Sequence, residues 1–429
     1  MLFALLEMAN HQAGEFALRC LLHQIRGDNS GFVTDYEDSA GRPNAAQRAE
    51  VMKFFGAGEL PVTHALADAF TVCDQWFSSV PGPTWTNRFF VHSGTSLGRV
   101  SMPRGPFNPN LHWYDQDTIF DRLNDRGISW NIYYGDWPQS LLLTHQLLIP
   151  SNAARYSHMD DFFEDAAGAE SNFPFYSFIE PTYFGTEAND YHPGPTSDVF
   201  RGEALLGNVY NQIRQNQALW ETSLLIVLFD EHGGLFDPVS PTRAKPPDHH
   251  KEEYTFDLYG VRVPALFISP WIDRGTISTL FDHTSILKYL CEGLNLKQLH
   301  NRELAANSFA ENLDRDSPRT DTPASIPVPA MARSRLAASE RDRRKLNDHQ
   351  AALISFSEFV ETKLDQPTRT GAVRRERMMA GTDEQEAVAK ERLELFLRQQ
   401  KTKAKGKPKV KAKVKAKPKS RGRKPRRRK

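Results

Sequence analysis

The chain has 429 residues, of which 39% are hydrophobic, 25% charged and 11% aromatic. That balance excludes a fibrous or wholly disordered protein and suits a globular body of one large domain or two to three average ones. The formal net charge of +1 hides an asymmetry: residues 401–429 carry 17 Lys/Arg and no acidic side chain, leaving 37 basic against 53 acidic residues in 1–400. Any attraction to polyanions therefore belongs to the tail. Cys20, Cys73 and Cys291 are an odd number without metal-type spacing and read as buried free thiols. No apolar run approaches the ~20 residues that span a bilayer. The start, MLFALLEMANHQ, is broken by Glu7, follows no cationic stretch and shows no small-residue cleavage site. It does not read as a signal peptide, so the expected location is cytoplasmic, with export expected only of a longer N-terminus.

In chain order, PFYSFIE (174–180) reads as a buried strand. A helix is predicted from about Ser197 to Asn216, with Val199, Leu206, Tyr210 and Ile213 at helical spacing and Ser197 and Asp198 as caps. SLLIVLF (223–229) and VPALFIS (263–269) are continuous apolar runs of the kind found in parallel strands, and a helix is predicted over Thr284–Leu294. Together these predict an α/β fold over 1–300, with a mostly parallel central sheet and helices on both faces. Residues 301–400 read as a polar linker followed by a mainly helical extension. Residues 401–429, Lys/Ala/Pro-rich, read as a disordered basic tail.

The candidate chemistry lies in three places. FDEHGG (229–234) sets two acids and an imidazole, Asp230, Glu231 and His232, where an apolar strand ends. Ligands of open α/β sheets bind beyond the carboxyl ends of strands, and adjacent acids there call for a divalent cation. SVPGPTWTNR (79–88) places the hydroxyl of Thr84 in a Pro/Gly-stiffened loop with Asn87 and Arg88 close behind, a set suited to phosphoryl transfer. NDYHPGPTSD and FDHTS carry His192 and His283 in loops, while His249 and His250 read as an exposed loop.

Five strings, HALADAFTVCDQWFSSVPGPTWTNRFFVHSGTS, GISWNIYYGD, NDYHPGPTSDVFRGEALL, LLIVLFDEHGGLFDPVSPT and YGVRVPALFISPWIDRGTIS…FDHTSILKYL, cover roughly residues 60–295. In content and order they resemble the bacterial phosphoesterase family that includes phosphatidylcholine-type phospholipases C and a related acid phosphatase. The resemblance implies an alkaline-phosphatase-like fold and one divalent metal ion, with Asp230, Glu231 and Thr84 as its ligands. It also implies Thr84 as nucleophile, Asn87, His192 and His283 as phosphate-binding or leaving-group residues, and His232 close by; with Asn87, the Arg88 guanidinium and His232 are read as substrate-binding groups. The substrate implied is a phospholipid or other phosphate ester.

Members of that family open with a strand running into Glu-Asn-Arg-Ser-Phe-Asp, whose Glu and Asn complete the metal site. No such string occurs here; neither Glu7 nor Asn10 has the matching neighbour. The first strand and two ligands are thus expected to be missing or replaced. This sets up a rival expectation: a catalytically impaired relative that binds an anionic membrane surface or nucleic acid through residues 401–429.

Overall fold

The computed structural model describes residues 2–8, 22, 24–25, 27–40, 43–103, 108, 111–192, 198–330, 346–363 and 382–406. Within them the strands are β1 Leu2–Met8, β2 Thr71–Cys73, β3 Trp76–Phe77, β4 Trp130–Tyr134, β5 Tyr156–His158, β6 Tyr176–Glu180, β7 Ser223–Phe229, β8 Ala265–Ile268, β9 Gly275–Ile277 and β10 Phe281–Asp282. The main sheet has the order β5-β4-β6-β1-β7-β8-β2-β9, and β10 pairs with β3 apart from it. From β5 through β7 every neighbouring pair is parallel.

The helices that cover this sheet on both faces begin with α1 Phe32–Ala40, α2 Pro61–Ala69, α3 Thr84–Ser93, α4 Ile119–Arg126 and α5 Met159–Ala167. They continue with α6 Val199–Gln215 and α7 Thr284–Gly293. Helix α6 packs against α2 and α5, and α3 against α4 and α7. Strand β7 is buried at all seven positions, which is why its sequence is an unbroken apolar run. Helix α6 starts where the sequence predicts, with the Asp198 side chain accepting from Phe200 N at 3.0 Å.

Two strand expectations change. The first strand is not missing: Leu2–Met8 is the central strand, parallel to both β6 and β7. Its apolar run alone suits that position, whatever the motif that follows it. Strand β8 runs antiparallel to β7 and β2 rather than parallel. Residues 230–264, which link β7 to β8, contain no helix. A parallel return needs a crossover, usually helical, so this link brings the chain back in the opposite sense.

The C-terminal extension packs on the body as α8 Asp348–Lys363 and α9 Thr382–Gly406. Phe356 meets Trp85 and Trp137 edge-on, and Gln350 Nε2 donates to the Tyr183 carbonyl at 2.6 Å. On α9, Lys390 Nζ lies 3.1 Å from Asp136 Oδ2, and Glu394 accepts from Tyr134 Oη at 3.3 Å. Helix α9 takes in Lys401–Gly406 at the start of the basic stretch, and 407–429 lie outside the described residues. Cys73 and Cys291 are buried free thiols, as expected; Cys20 lies outside the described residues.

One buried carboxylate ties α6 to α2 and to the segment that precedes α6. Glu203 of α6 accepts from Thr63 N at 3.0 Å, from Val62 N and the Thr63 hydroxyl, and from Tyr191 Oη at 2.6 Å. It thereby satisfies orphan amides at the start of α2 and fixes the segment carrying His192. Glu203→Ala should destabilise the fold by roughly 3 kcal/mol or more, because several buried donors lose their acceptor at once. Urea denaturation measures this; a change below 1 kcal/mol, on the order of a single exposed hydrogen bond, would show that the network is dispensable.

Candidate active site

The site forms where three adjacent parallel strands end. Glu180 is the last residue of β6, and Asp230 and Glu231 follow β7 directly. Between them, β1 ends with Met8 in register with Phe229. After the acids, Gly233 and Gly234 take φ of 69° and 79°, the left-handed region that glycine enters without strain. The glycine pair thus supplies a sharp turn directly after the acids.

Thr84 is the first residue of α3, and every residue of that helix is buried. Its Oγ1 donates to Glu231 Oε1 at 3.2 Å. The positive end of the α3 dipole therefore faces the acidic pair. One turn on, Arg88 is fully buried between two carboxylates, with Nε 3.3 Å from Asp230 Oδ2 and Nη1 3.3 Å from Glu180 Oε2. It also donates to Tyr183 Oη, which in turn donates to Glu180 Oε2 at 3.2 Å. Glu180 accepts further from Gln139 N and Ser140 N, at 2.7 and 3.1 Å. Arg88 is expected from sequence to bind substrate; here it is the cation that binds α3 to the ends of β6 and β7.

Asn87, also expected against the phosphate, holds its own loop. Its Oδ1 accepts from Val80 N at 3.1 Å, and its Nδ2 donates to the Gly82 and Val80 carbonyls at 2.8 and 3.3 Å. These bonds set the approach of the chain to Thr84. The same loop is pinned from outside by Asp282, which accepts from Ser79 Oγ at 2.7 Å.

The histidines divide. His283 is fully buried, its Nδ1 accepting from Trp76 Nε1 at 3.3 Å and its Nε2 3.0 Å from the Asp230 carbonyl. With Nδ1 as acceptor, Nε2 carries the proton and donates to Asp230 O, so the ring orients the Asp230 main chain. Burial pulls its pKa down to about 4. His232 turns toward the N-terminal segment, with Nε2 3.0 Å from Gln24 Oε1 and its ring edge-on to Phe32 at 5.5 Å; burial lowers it to about 3. His192 is half-buried, and its backbone N–H approaches Asp190 Oδ1 at 3.4 Å. Burial pushes the Asp190 carboxyl up to about 6, against the pull of the nearby His192 and Arg88 charges. His249 is exposed and His250 meets Glu252, so neither joins the site.

Sequence reasoning missed Glu180, Tyr183 and Asp190. Glu180 carried the same signal as Asp230, an acid closing an apolar strand, and Asp190 stands two residues before His192. Among the described residues, one further cluster brings three metal-type side chains together: Asp117, Asp121 and His145, with ligand atoms within 4.8 Å. That arrangement could hold a cation. Its carboxylates are already engaged, however, Asp117 by Arg122 at 2.7 Å and Asp121 as an acceptor from Thr118 N and Oγ1, both at 2.8 Å.

A buried hydroxyl paired with acids at the carboxyl ends of parallel strands defines an α/β protein whose site suits ester chemistry at phosphorus. The chain belongs to the Phosphoesterase family, whose signature matches residues 21–297. It is 35% identical to non-specific phospholipase C3 of Arabidopsis thaliana, over 72% of this chain and 62% of that one. It is 31% identical to phospholipase C B of Mycobacterium tuberculosis, over 56% of this chain and 51% of that one. The chain thus spans about half to two thirds of the length of these curated relatives. A solved protein of the alkaline phosphatase superfamily from Vibrio parahaemolyticus aligns with a TM-score of 0.38 and 12% identity, over 71% of this chain and 69% of that one.

The depressed imidazoles give a pH signature. His232 and His283 are neutral in the fold, whereas the unfolded chain binds protons below about 6.5, so stability falls as pH drops from about 6.5 toward 4. Each should cost roughly 2 kcal/mol by about pH 5. In urea titrations at about pH 7 and pH 5, His232→Gln should lose less stability than the wild type over that interval. Equal losses would show that His232 is not the titrating group.

Proposed function

We propose that the chain hydrolyses phosphoric esters of the phospholipid type, with Thr84 as the attacking hydroxyl. The observation that carries this reading is the Thr84 Oγ1–Glu231 Oε1 contact of 3.2 Å at the carboxyl edge of the sheet, beside Asp230. Family membership and relatives named as phospholipases C support the substrate class.

The donor set fits a divalent cation: two carboxylates and a hydroxyl are hard oxygen ligands, adjacent and buried. Asp230, Glu231 and Thr84 would hold it, and when bound it supplies Lewis acidity that lowers the hydroxyl pKa and offsets charge on phosphoryl oxygens. The chain's own residues do the rest. Glu231 accepts the Thr84 hydrogen bond and orients the oxygen lone pairs. Arg88 keeps Asp230 in place, and His283 fixes the main chain behind it. Because His283 is held at both ring nitrogens, we assign protonation of the departing alkoxide to His192, which is half-buried beside Asp190.

With p-nitrophenylphosphorylcholine and added divalent metal, Thr84→Ala and Asp230→Ala should each lose on the order of 10³-fold in kcat. A chelator should abolish activity and a divalent cation restore it. An active wild type matched by Thr84→Ala would end the reading.

The 17 Lys/Arg of 401–429 favour a second role, attachment to an anionic membrane surface. Binding to vesicles containing phosphatidylserine should vanish when 407–429 are deleted, survive Asp230→Ala and weaken steeply with salt. Unchanged binding after the deletion would remove the tail from the account.

A further inference from the structure

A large apolar side chain left in water is ordinary when it stands alone, but a run of them marks a contact surface. Met52, Phe54 and Phe55 fall within four consecutive positions and are 47%, 89% and 37% exposed. Their exposure begins abruptly. Val51, the residue before, is buried in a small core with Ile25, Phe32 and Val261, against which Phe236 packs. Beyond it the backbone is held on both sides by hydrogen-bonded turns: Lys53 N donates to Glu50 O at 3.0 Å, and Leu60 N to Gly56 O at 3.0 Å. His64 Nε2 lies 3.4 Å from the Phe55 carbonyl. The two phenyl rings are therefore presented by a pinned turn, which lowers the cost of ordering them against a partner.

The base of this turn stands on the loop that leaves the acids. Phe236 N donates to Val51 O at 2.8 Å, and Leu235 N to His232 O at 3.4 Å. The Phe32 ring meets both His232 and Phe236 edge-on, each at 5.5 Å. Phe236 is five residues beyond Glu231, a chain length of at most ~18 Å. The turn is thereby tied to the carboxyl end of β7, where the acids stand.

Its charges point to a partner surface without net charge. Lys53 pairs with Glu50 at 2.6 Å and Arg48 with Glu37 at 3.3 Å, while Glu59 Oε2 accepts from Gly56 N at 2.9 Å. Among these groups no positive charge is in surplus, so an anionic surface gains nothing here. A specific protein partner covers about 800 Å², more than three side chains on one turn supply, whereas a lipid surface needs no matching relief. We propose that Met52, Phe54 and Phe55 dip into the headgroup layer of a zwitterionic phospholipid surface and hold the enzyme on it beside its substrate. The proposal rests on the phosphoesterase reading for the substrate being a lipid. It is separate from any attraction of the basic tail, which needs anionic lipid.

The test is co-sedimentation of the full chain with phosphatidylcholine vesicles, a chelator being present so that no lipid is turned over. The wild type should bind, with little dependence on salt. Phe54→Ser combined with Phe55→Ser should weaken binding roughly tenfold or more. Phe54→Trp should bind as well as the wild type, because indoles favour the headgroup layer. With metal restored, the double variant should lose a similar factor on phosphatidylcholine vesicles and keep wild-type hydrolysis of soluble p-nitrophenylphosphorylcholine. Wild-type vesicle binding by the double variant, or no binding by the wild type, would overturn the assignment. So would an equal loss on the soluble ester, which would make the turn a support of the site. A wild-type dimer that the double variant abolishes, with no vesicle binding, would assign the turn to a second copy instead and overturn it as well. If neither substrate is hydrolysed, the phosphoesterase reading fails, while vesicle binding still decides the turn.

Discussion

The structure depends on one buried cation. Arg88 has no exposed side-chain surface, and it joins Asp230 after β7 to Glu180 at the end of β6 across the end of the central strand β1. Taking a guanidinium and two carboxylates out of water is costly, and the cost is met only when every partner is in place. That requirement fixes where α3 meets the sheet. Since Thr84 lies one helical turn before Arg88, it also fixes where the hydroxyl meets Glu231.

Around this pair the remaining polar groups act as braces. Asn87 shapes the loop that delivers the chain to Thr84, and Asp282 holds the same loop from the far side through Ser79. His283 locks the Asp230 carbonyl, while Tyr183 links Arg88 to the C-terminal helix α8 through Gln350. The helical extension is thereby continuous with the packing behind the acids. Farther along the chain from Glu180, burial raises the carboxyl of Asp190, two residues before His192, to about 6.

Much of this was legible in the sequence where one signal dominates. SLLIVLF became β7 with the same bounds, and the predicted α6 and α7 differ from the observed helices by one or two residues at their ends. The acid pair and Thr84 stood out in the sequence because strand ends and stiffened loops announce themselves locally, and the fold brings Thr84 Oγ1 to Glu231 Oε1. Strand direction was less accessible: VPALFIS has the composition of a parallel strand but returns antiparallel, because the helix-free link decides it. Strand β1 carries its signal in its own apolar run, LFALLEM, and not in the string that follows it. The partners of Arg88 and Asn87 could not be read at all. A guanidinium that will bind phosphate and one that will be buried between two acids look alike in one dimension.

The central claim is that Thr84 carries the phosphoryl group during turnover. Mass spectrometry of enzyme acid-quenched while hydrolysing a phosphocholine ester tests it directly. The account predicts a phosphorus-containing adduct on the peptide containing Thr84, formed in the burst and lost as substrate is exhausted. An active enzyme with no such adduct, or with one on another residue, would contradict it.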